Sequence, residues 1–203
     1  MEIVLLTIIL VVIALLSGYL SSAGFKGALG EKHVSSIFHR NLDENYHILN
    51  DVILPTHDGT TQIDHIIVSI FGVFVVETKN MKGWIFGSAR HRKWTQVIYK
   101  EKFSFYNPLH QNYKHLMTIK NLIAINKYQI FSLVVFVGDC QLKTELPENV
   151  TYGKEVISYI KSKKEVVLNK MQIKEILNKL NSCRLENTRE NKKIHINNVK
   201  NSS

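Results

Sequence analysis

Two kinds of hydrophobic pattern alternate along this chain, and each predicts a different kind of element. From Gly27 to Leu42 apolar residues recur at helical spacing, which predicts an amphipathic helix. Residues 62–68 and 73–79 are β-branched runs with only four residues between them, which predicts a β-hairpin. Residues 129–138 are almost continuously apolar, as expected of a strand buried on both faces.

Weaker patterns fill the rest of the chain. Asn107 and Pro108 begin a second predicted helix, which runs to about Asn126. Further strands are predicted at residues 46–54, 84–86 and 93–99, and short helices at 153–162 and 170–181. Helices and strands arranged around one central apolar strand predict an α/β domain, with a mixed central sheet flanked by helices.

The first 22 residues differ from all that follow because they carry almost no charge. Residues 3–16 contain no charged side chain, and the first cation of the chain is Lys26. Since about 20 helical residues span a hydrocarbon core of roughly 30 Å, residues 1–22 are predicted to form a transmembrane anchor that contacts the lipid bilayer through residues 3–22. A cleaved signal peptide is the alternative, but no basic residue precedes the apolar run.

Charge sets the expected orientation and partners. All 26 basic residues follow the apolar run, so the positive-inside rule predicts a single-pass protein of the cell membrane with its C-terminal domain in the cytoplasm. Seventeen acidic residues leave a net charge of +9, and the residues from Lys154 onward are strongly basic. Such a stretch attracts polyanions, either DNA or the anionic inner leaflet. Residues 139–182 are therefore interpreted as a basic helical extension, and 183–203 as a polar disordered tail.

Cysteine and histidine usage narrows the chemistry. The two cysteines, Cys140 and Cys183, form no Cys-x-x-Cys motif, which argues against a structural zinc site or a disulfide framework. The nine histidines are scattered, with no pair at zinc-binding spacing on one helix. His65 alternates away from its acidic neighbour Asp64 and is expected to face the core.

Three ionisable residues of the hairpin are predicted to share one face. With a four-residue loop Asp64 lies opposite Glu77, and with a two-residue loop it lies opposite Lys79. In both registers the three side chains project from the same face, since side chains alternate with period two, whereas a three-residue loop would split them. Paired carboxylates suit Mg²⁺, and a nearby lysine can act on water or phosphate. An ordinary ion pair on a solvated strand face is the competing interpretation.

The order of several short motifs resembles that of the nuclease-related domain (NERD), a branch of the PD-(D/E)xK nuclease superfamily. The motifs are Gly30-Glu31, Leu49-Asn50-Asp51-Val52, Gln62-Ile63-Asp64-His65, Gly72 to Asn80, Gly83, Trp94 and Asn107-Pro108-Leu109-x-Gln111-Asn112. The resemblance covers residues 27–138 and implies a restriction-endonuclease-like core. One departure is that no proline precedes Asp64.

The resemblance implies roles for five residues. Asp64 and Glu77 match the metal-binding carboxylates, Lys79 the catalytic lysine, and Glu31 an acid that adds a metal contact. Gln111 matches a glutamine that positions substrate or supports the metal, and residue 115 lies one helical turn beyond it. The implied activity is cleavage of DNA with Mg²⁺ or Mn²⁺ at the cytoplasmic face of a bacterial membrane. The alternative is a catalytically silent nucleic-acid-binding or membrane scaffold module of the same fold.

Aromatic and basic residues are interleaved in the predicted strands that follow the hairpin. The aromatic residues are Trp84, Trp94, Tyr99, Phe103, Phe105 and Tyr106, and the nearby cations are Lys93, Lys100 and Lys102. Two interpretations remain open for this segment: a stacking and phosphate-binding surface for nucleic acid, or ordinary packing.

Overall fold

The computed structural model describes residues 22–57 and 59–186, together with the isolated positions 5, 7, 8, 11 and 18. The helices in this part of the chain are α1 (Ala23–Asn41), α2 (Pro108–Ile123), α3 (Val156–Ser162) and α4 (Lys170–Cys183). Its strands are β1 (His47–Thr56), β2 (Gly59–Ser69), β3 (Gly72–Asn80), β4 (Gly83–Phe86), β5 (Lys93–Ile98), β6 (Glu101–Tyr106), β7 (Ile130–Val137), β8 (Cys140–Leu142) and β9 (Val150–Tyr152).

The strands form two sheets. The main sheet has the order β1-β2-β3-β7-β9, in which β1, β2 and β3 are antiparallel and β3, β7 and β9 are parallel. The second sheet has the order β6-β5-β4-β8. The predicted α/β class with a mixed central sheet flanked by helices is therefore confirmed.

Apolar clusters cover both faces of the main sheet. On one face Ile66 and Val75 pack against Ile119 of α2 and the apolar side of α4. On the other face Phe74 packs against Phe38 of α1 and the buried residues of α3. The second sheet packs against the end of the main sheet, where the rings of Trp94 and Phe136 stack with centroids 6.1 Å apart.

The hairpin adopts the first of the two predicted registers. Val68 pairs with Val73, and the ladder continues one pair further to Ser69 and Gly72, so the loop is shorter than predicted. Gly72 has φ 125°, a backbone conformation that L side chains rarely adopt, at the point where the chain enters β3. This register places Asp64 across from Glu77.

Strands β6, β8 and β9 were not predicted. The segment 101–106 begins with two charged residues and most of its side chains are exposed, so its apolar pattern is weak. Strands β8 and β9 are three residues long and are defined by pairing with distant strands, β4 and β7. No local pattern of hydrophobicity carries such a signal.

Two sequence predictions fall largely outside the described residues. These are the transmembrane anchor at 1–22 and the polar tail at 183–203. Within the part of the chain that is described, no helix combines the length and the apolar character needed to cross a bilayer.

Candidate active site

The predicted acidic pair lies where β2 and β3 separate. The backbone ladder between these strands ends at His65 and Val76. One position beyond, the Oδ2 atom of Asp64 accepts a hydrogen bond of 2.7 Å from the backbone amide of Thr78. Beyond the end of the ladder, this side-chain hydrogen bond therefore links β2 to β3, and it holds the carboxylate of Asp64 beside Glu77.

Lys79 connects the hairpin to helix α2. Its Nζ atom donates to Oε1 of Glu77 at 2.7 Å and to Oε1 of Gln111 at 3.0 Å. Glu77 and Lys79 lie two residues apart on β3, so their side chains leave the same face of the strand. Three of the predicted site residues thus meet through the ammonium of Lys79.

His115 contacts the same glutamate from the next turn of α2. Its Nε2 atom lies 3.3 Å from Oε2 of Glu77, and its Nδ1 atom shares a hydrogen bond of 2.7 Å with Oγ1 of Thr61. Glu77 itself is only 2% exposed. The predicted placement of Gln111 and His115 on one side of a helix is confirmed.

Two asparagines fix helix α2 in place. Asn107 caps the helix by accepting from the amide of Leu109, and its side-chain amide donates to the carbonyl of His91 at 2.7 Å. The buried amide of Asn112 donates to the carbonyl oxygens of Val75 on β3 and Leu133 on β7. The pair Asn-Pro predicted Asn107 as the start of this helix, whereas the sequence assigned Asn112 no role.

Burial and neighbouring carboxylates both disfavour the charged form of Asp64. Burial raises the pKa of Asp64 well above its usual range, and the carboxylates of Glu77 and Glu31 raise it further. The Thr78 amide and the Lys79 ammonium offset part of that rise. Glu31 on α1 is therefore close enough to raise the pKa of the Asp64 carboxyl, in agreement with the expected approach of the first helix.

The pKa values of Glu77 and Lys79 are shifted in the directions that keep both side chains charged. Burial alone would raise the pKa of Glu77, but Lys79 and His115 outweigh it, and the pKa of Glu77 lies below its usual value. Burial alone would lower the pKa of Lys79, but Glu77, Asp64 and Glu31 raise it above its usual value. The lysine is thus a fixed cation among carboxylates.

Helix α1 approaches the site at Gly30. A Cβ atom at Gly30 would lie 2.6 Å from Cβ of Asn80, at the end of β3. The Asn80 side-chain amide also donates to the carbonyl of Lys26 at 2.7 Å. The absence of a side chain at Gly30 lets the helix bring Glu31 close to the carboxylates of the hairpin.

Asp51 marks a break in β1 directly opposite Asp64. The ladder pairs Asn50 with His65 and Val52 with Ile63, and it skips the position between them. Asp51 has φ 53°, in the left-handed region that Asp tolerates better than most residues, and its Oδ1 atom accepts from Gln62 at 2.6 Å.

The donor set fits a hard divalent cation. Among the described residues, no three His, Cys, Asp or Glu side chains converge closely enough to hold a metal by themselves. Mg²⁺ is commonly held by one or two carboxylates and completes its shell with water. Asp64 and Glu77 supply such oxygens, and Oε2 of Glu77 is buried without a hydrogen-bond partner of good geometry.

His65 lies on the opposite face of the sheet, as predicted. It packs edge-on against Phe38, and its Nδ1 atom hydrogen-bonds with Oδ1 of Asn50 at 2.8 Å. Burial lowers the pKa of His65 to about 4, so the ring is neutral near pH 7.

Both cysteines are free thiols, and burial raises the pKa of Cys140 to about 11.

Comparison with known proteins identifies the family of this chain. The family model described as "Nuclease-related domain" (NERD) matches residues 26–137, which confirms the resemblance drawn from the motifs. An uncharacterized protein of Bacillus anthracis is 40% identical over 157 residues, which cover 75% of this chain and 74% of that protein. All five predicted site residues lie inside the matched range.

Proposed function

Because the chain belongs to the nuclease-related domain family, we propose that it hydrolyses phosphodiester bonds of DNA with Mg²⁺ or Mn²⁺. The observation that carries this proposal is the bridging ammonium of Lys79. It links Glu77 to Gln111 beside Asp64, at the end of an otherwise apolar sheet.

An ordinary ion pair on a solvated face does not explain the arrangement. Glu77 is 2% exposed, and its partner Lys79 is also largely buried. Burying such charges costs several kcal/mol per ion, and an apolar pair of similar size is often at least as stable. Three carboxylates around one lysine therefore favour a chemical role over a structural one.

Asp64 and Glu77 are the residues that would hold the metal, with Glu31 as an additional acidic contact. When bound, a divalent cation lowers the pKa of a water molecule and stabilises negative charge on a phosphate. Glu77 and Gln111 hold the Lys79 ammonium in one position, where it orients the attacking water or neutralises charge developing on phosphorus. His115, anchored by Thr61, limits rotation of the Glu77 carboxylate.

The proposal includes a membrane location. The apolar residues 3–22 anchor the chain in the cell membrane, and the basic residues that follow keep the domain at the cytoplasmic face. N-terminal sequencing of the native protein tests the anchor. A sequence that starts at Met1 or Glu2 agrees with it, whereas a start at Gly24 means that the segment is cleaved.

One contact favours a second candidate, a catalytically silent module that binds nucleic acid or serves as a membrane scaffold. The Lys79 ammonium already neutralises Oε1 of Glu77, so it competes with any cation for that oxygen. In this case the ion pair would replace the metal and the fold would bind DNA without cutting it.

A cleavage assay separates the two candidates. The full-length chain is incubated with linear, circular and single-stranded DNA in Mg²⁺, in Mn²⁺ and in EDTA, with Glu77→Ala as the matched variant. Cleavage that requires the metal and is lost in Glu77→Ala supports the nuclease. Binding without cleavage under every metal condition supports the silent module.

A further inference from the structure

The second sheet has one face turned to the core and one face open to solvent. Ile85, Trp94 and Phe105 pack inward against the end of the main sheet. The opposite face, here called the outer face, presents Trp84, Phe86, Lys93, Lys102, Tyr106 and, just after β8, Lys143. Its aromatic residues Trp84, Phe86 and Tyr106 are 50%, 36% and 42% exposed.

The strand register arranges these side chains in rows. Trp84 pairs with Val97, which pairs in turn with Lys102, and Lys93 pairs with Tyr106 at the other end of the sheet. Aromatic and cationic side chains therefore share the outer face, with Val97, Thr95 and Ser104 between them. The aromatic residues of this segment therefore have both of the roles considered from the sequence. Trp94 and Phe105 pack in the core, whereas Trp84 and Tyr106 lie on the exposed face.

Cations outnumber acids in the second sheet and its loops. Residues 81–106 contain six Lys or Arg residues and a single acid, Glu101, which alternation places on the inward side of β6. Cations also lie over the rings: Nζ of Lys143 is 4.9 Å from the centroid of Trp84, and the guanidinium of Arg92 is 5.7 Å from that of Tyr106. An exposed surface of this kind attracts a polyanion that also offers flat rings.

This surface adjoins the candidate active site at both ends. Strand β3 leads from Lys79 into β4, so at most about 17 Å of extended chain separates Lys79 from Trp84. Strand β6 ends at Tyr106, immediately before the helix that carries Gln111. On its inward side Trp94 stacks on Phe136, the ladder partner of Lys79.

We propose that the outer face binds single-stranded DNA, with bases stacked on Trp84, Phe86 and Tyr106 and phosphates paired with the lysines. Unpaired bases expose their ring faces, whereas a duplex buries them in its own stack, so exposed aromatic rings favour the single strand. This inference rests on the proposed function and deepens it by naming the form of the substrate. The strand would pass from the outer face to Lys79.

Fluorescence anisotropy of labelled oligothymidylate with the full-length chain in EDTA tests the inference without cleavage. Loss of one stacking ring weakens single-strand binding by about five- to a hundredfold, so Trp84→Ala and Tyr106→Ala should each raise the Kd by that factor. Trp84→Phe, which keeps a ring, should retain most of the affinity. Lys102→Gln should reduce the slope of log K against log salt by about 0.7.

Tyr128→Ala is the matched control. Tyr128 is 71% exposed and has the Lys127 ammonium 4.9 Å from its ring centroid, but it lies before β7, at the end of the sheet remote from Lys79. Its removal should leave the Kd unchanged. Equal affinity of Trp84→Ala, Tyr106→Ala and the parent for oligothymidylate would overturn the proposal, as would substitutions that weaken only binding to phosphatidylserine vesicles.

A parallel assay in Mg²⁺ distinguishes failure of this inference from failure of the nuclease. If the parent chain binds oligothymidylate through Trp84 but does not cut it, the outer face is a binding surface and the nuclease proposal is wrong. If the parent chain cuts DNA but the Kd does not change in Trp84→Ala, the nuclease proposal stands and the proposal for the outer face is wrong.

Discussion

The ammonium of Lys79 and the carboxylate of Glu77 form an ion pair with an N–O distance of 2.7 Å, although the two residues lie on the same strand with one residue between them. Both side chains are largely buried, so neither charge is well hydrated. Each depends on the other, and on Gln111 or His115, for compensation. The stability of this end of the sheet and its chemistry therefore rest on the same contacts.

Glu77→Gln should destabilise the fold. The substitution leaves the Lys79 ammonium buried without its counter-ion, and breaking a buried pair in this way costs about 3 kcal/mol. Urea unfolding at pH 7 measures the loss. The control is Glu155→Gln, which removes an exposed pair with a 3.9 Å distance to Lys154 and should cost less than about 0.5 kcal/mol. Equal stability of Glu77→Gln and the parent would contradict the buried pair.

Asp64→Asn should stabilise the fold while abolishing cleavage. The pKa of Asp64 is raised in the folded state by burial, Glu77 and Glu31, so its contribution to stability is present at low pH and is lost as pH rises through the folded pKa. At pH 7 the amide removes this penalty, and the free energy of unfolding should increase by about 1 kcal/mol or more. The difference should vanish near pH 3.

Thermal unfolding of Asp64→Asn at both pH values provides the measurement. Asp139→Asn removes an exposed carboxylate and serves as the control, with no expected change at pH 7. A lower melting temperature for Asp64→Asn at pH 7 would mean that the hydrogen bond to Thr78 outweighs the repulsion among the carboxylates.

Gly30→Ala should disturb the site through helix α1. The new methyl group would lie 2.6 Å from Cβ of Asn80, and overpacking of this kind costs about 1–3 kcal/mol. Displacement of the helix also moves Glu31, so cleavage should slow. Gly27→Ala is the control on the same helix, because its Cβ atom meets only a Glu31 oxygen at 4.0 Å. Unfolding in urea should distinguish the two variants, with Gly27→Ala at least as stable as the parent.

His65 should make the fold sensitive to acid. Burial lowers its pKa from 6.5 to about 4, so the stability that depends on the neutral ring is complete above pH 6.5 and is lost as pH falls through 4. The parent should lose about 3 kcal/mol more than His65→Gln between pH 7 and pH 4. The comparison between the two chains cancels the titration of other groups. Parallel pH profiles would show that His65 does not titrate in this way.

The hairpin and its acidic face were predictable because period-two alternation fixes which side chains share a face. The shared face of Asp64, Glu77 and Lys79 follows from that rule, and helical spacing places Gln111 and His115 on one side of α2. The roles expected of Gln111 and Glu31 came from the resemblance to the nuclease-related domain family. The distances between these side chains could not be predicted from the sequence, because they depend on how α2 packs on the sheet. That packing is fixed by Asn112, whose amide bonds to carbonyl oxygens of two strands distant in sequence.

Other features had no local signal at all. The left-handed Asp51 is recognised only from the break it makes in the ladder opposite Asp64. The separation of Trp84 from Trp94 required the register of the second sheet, because each is a tryptophan at the second position of a short strand and only the pairing shows which face it occupies. Burial of Trp94 depends on a stacking contact with Phe136, which lies 42 residues later in the sequence.

Lys79→Met tests the central claim most directly, namely that a lysine held by Glu77 and Gln111 acts on water or phosphate beside a metal bound by carboxylates. Calorimetry with Mn²⁺ and a gel assay of DNA cleavage are run on the same preparations, with the exposed Lys127→Met as the control. Lys79→Met should bind Mn²⁺ at least as tightly as the parent, since the competing ammonium is gone, and should cleave at least about a hundredfold more slowly. Cleavage by Lys79→Met at the parent's rate would contradict the account.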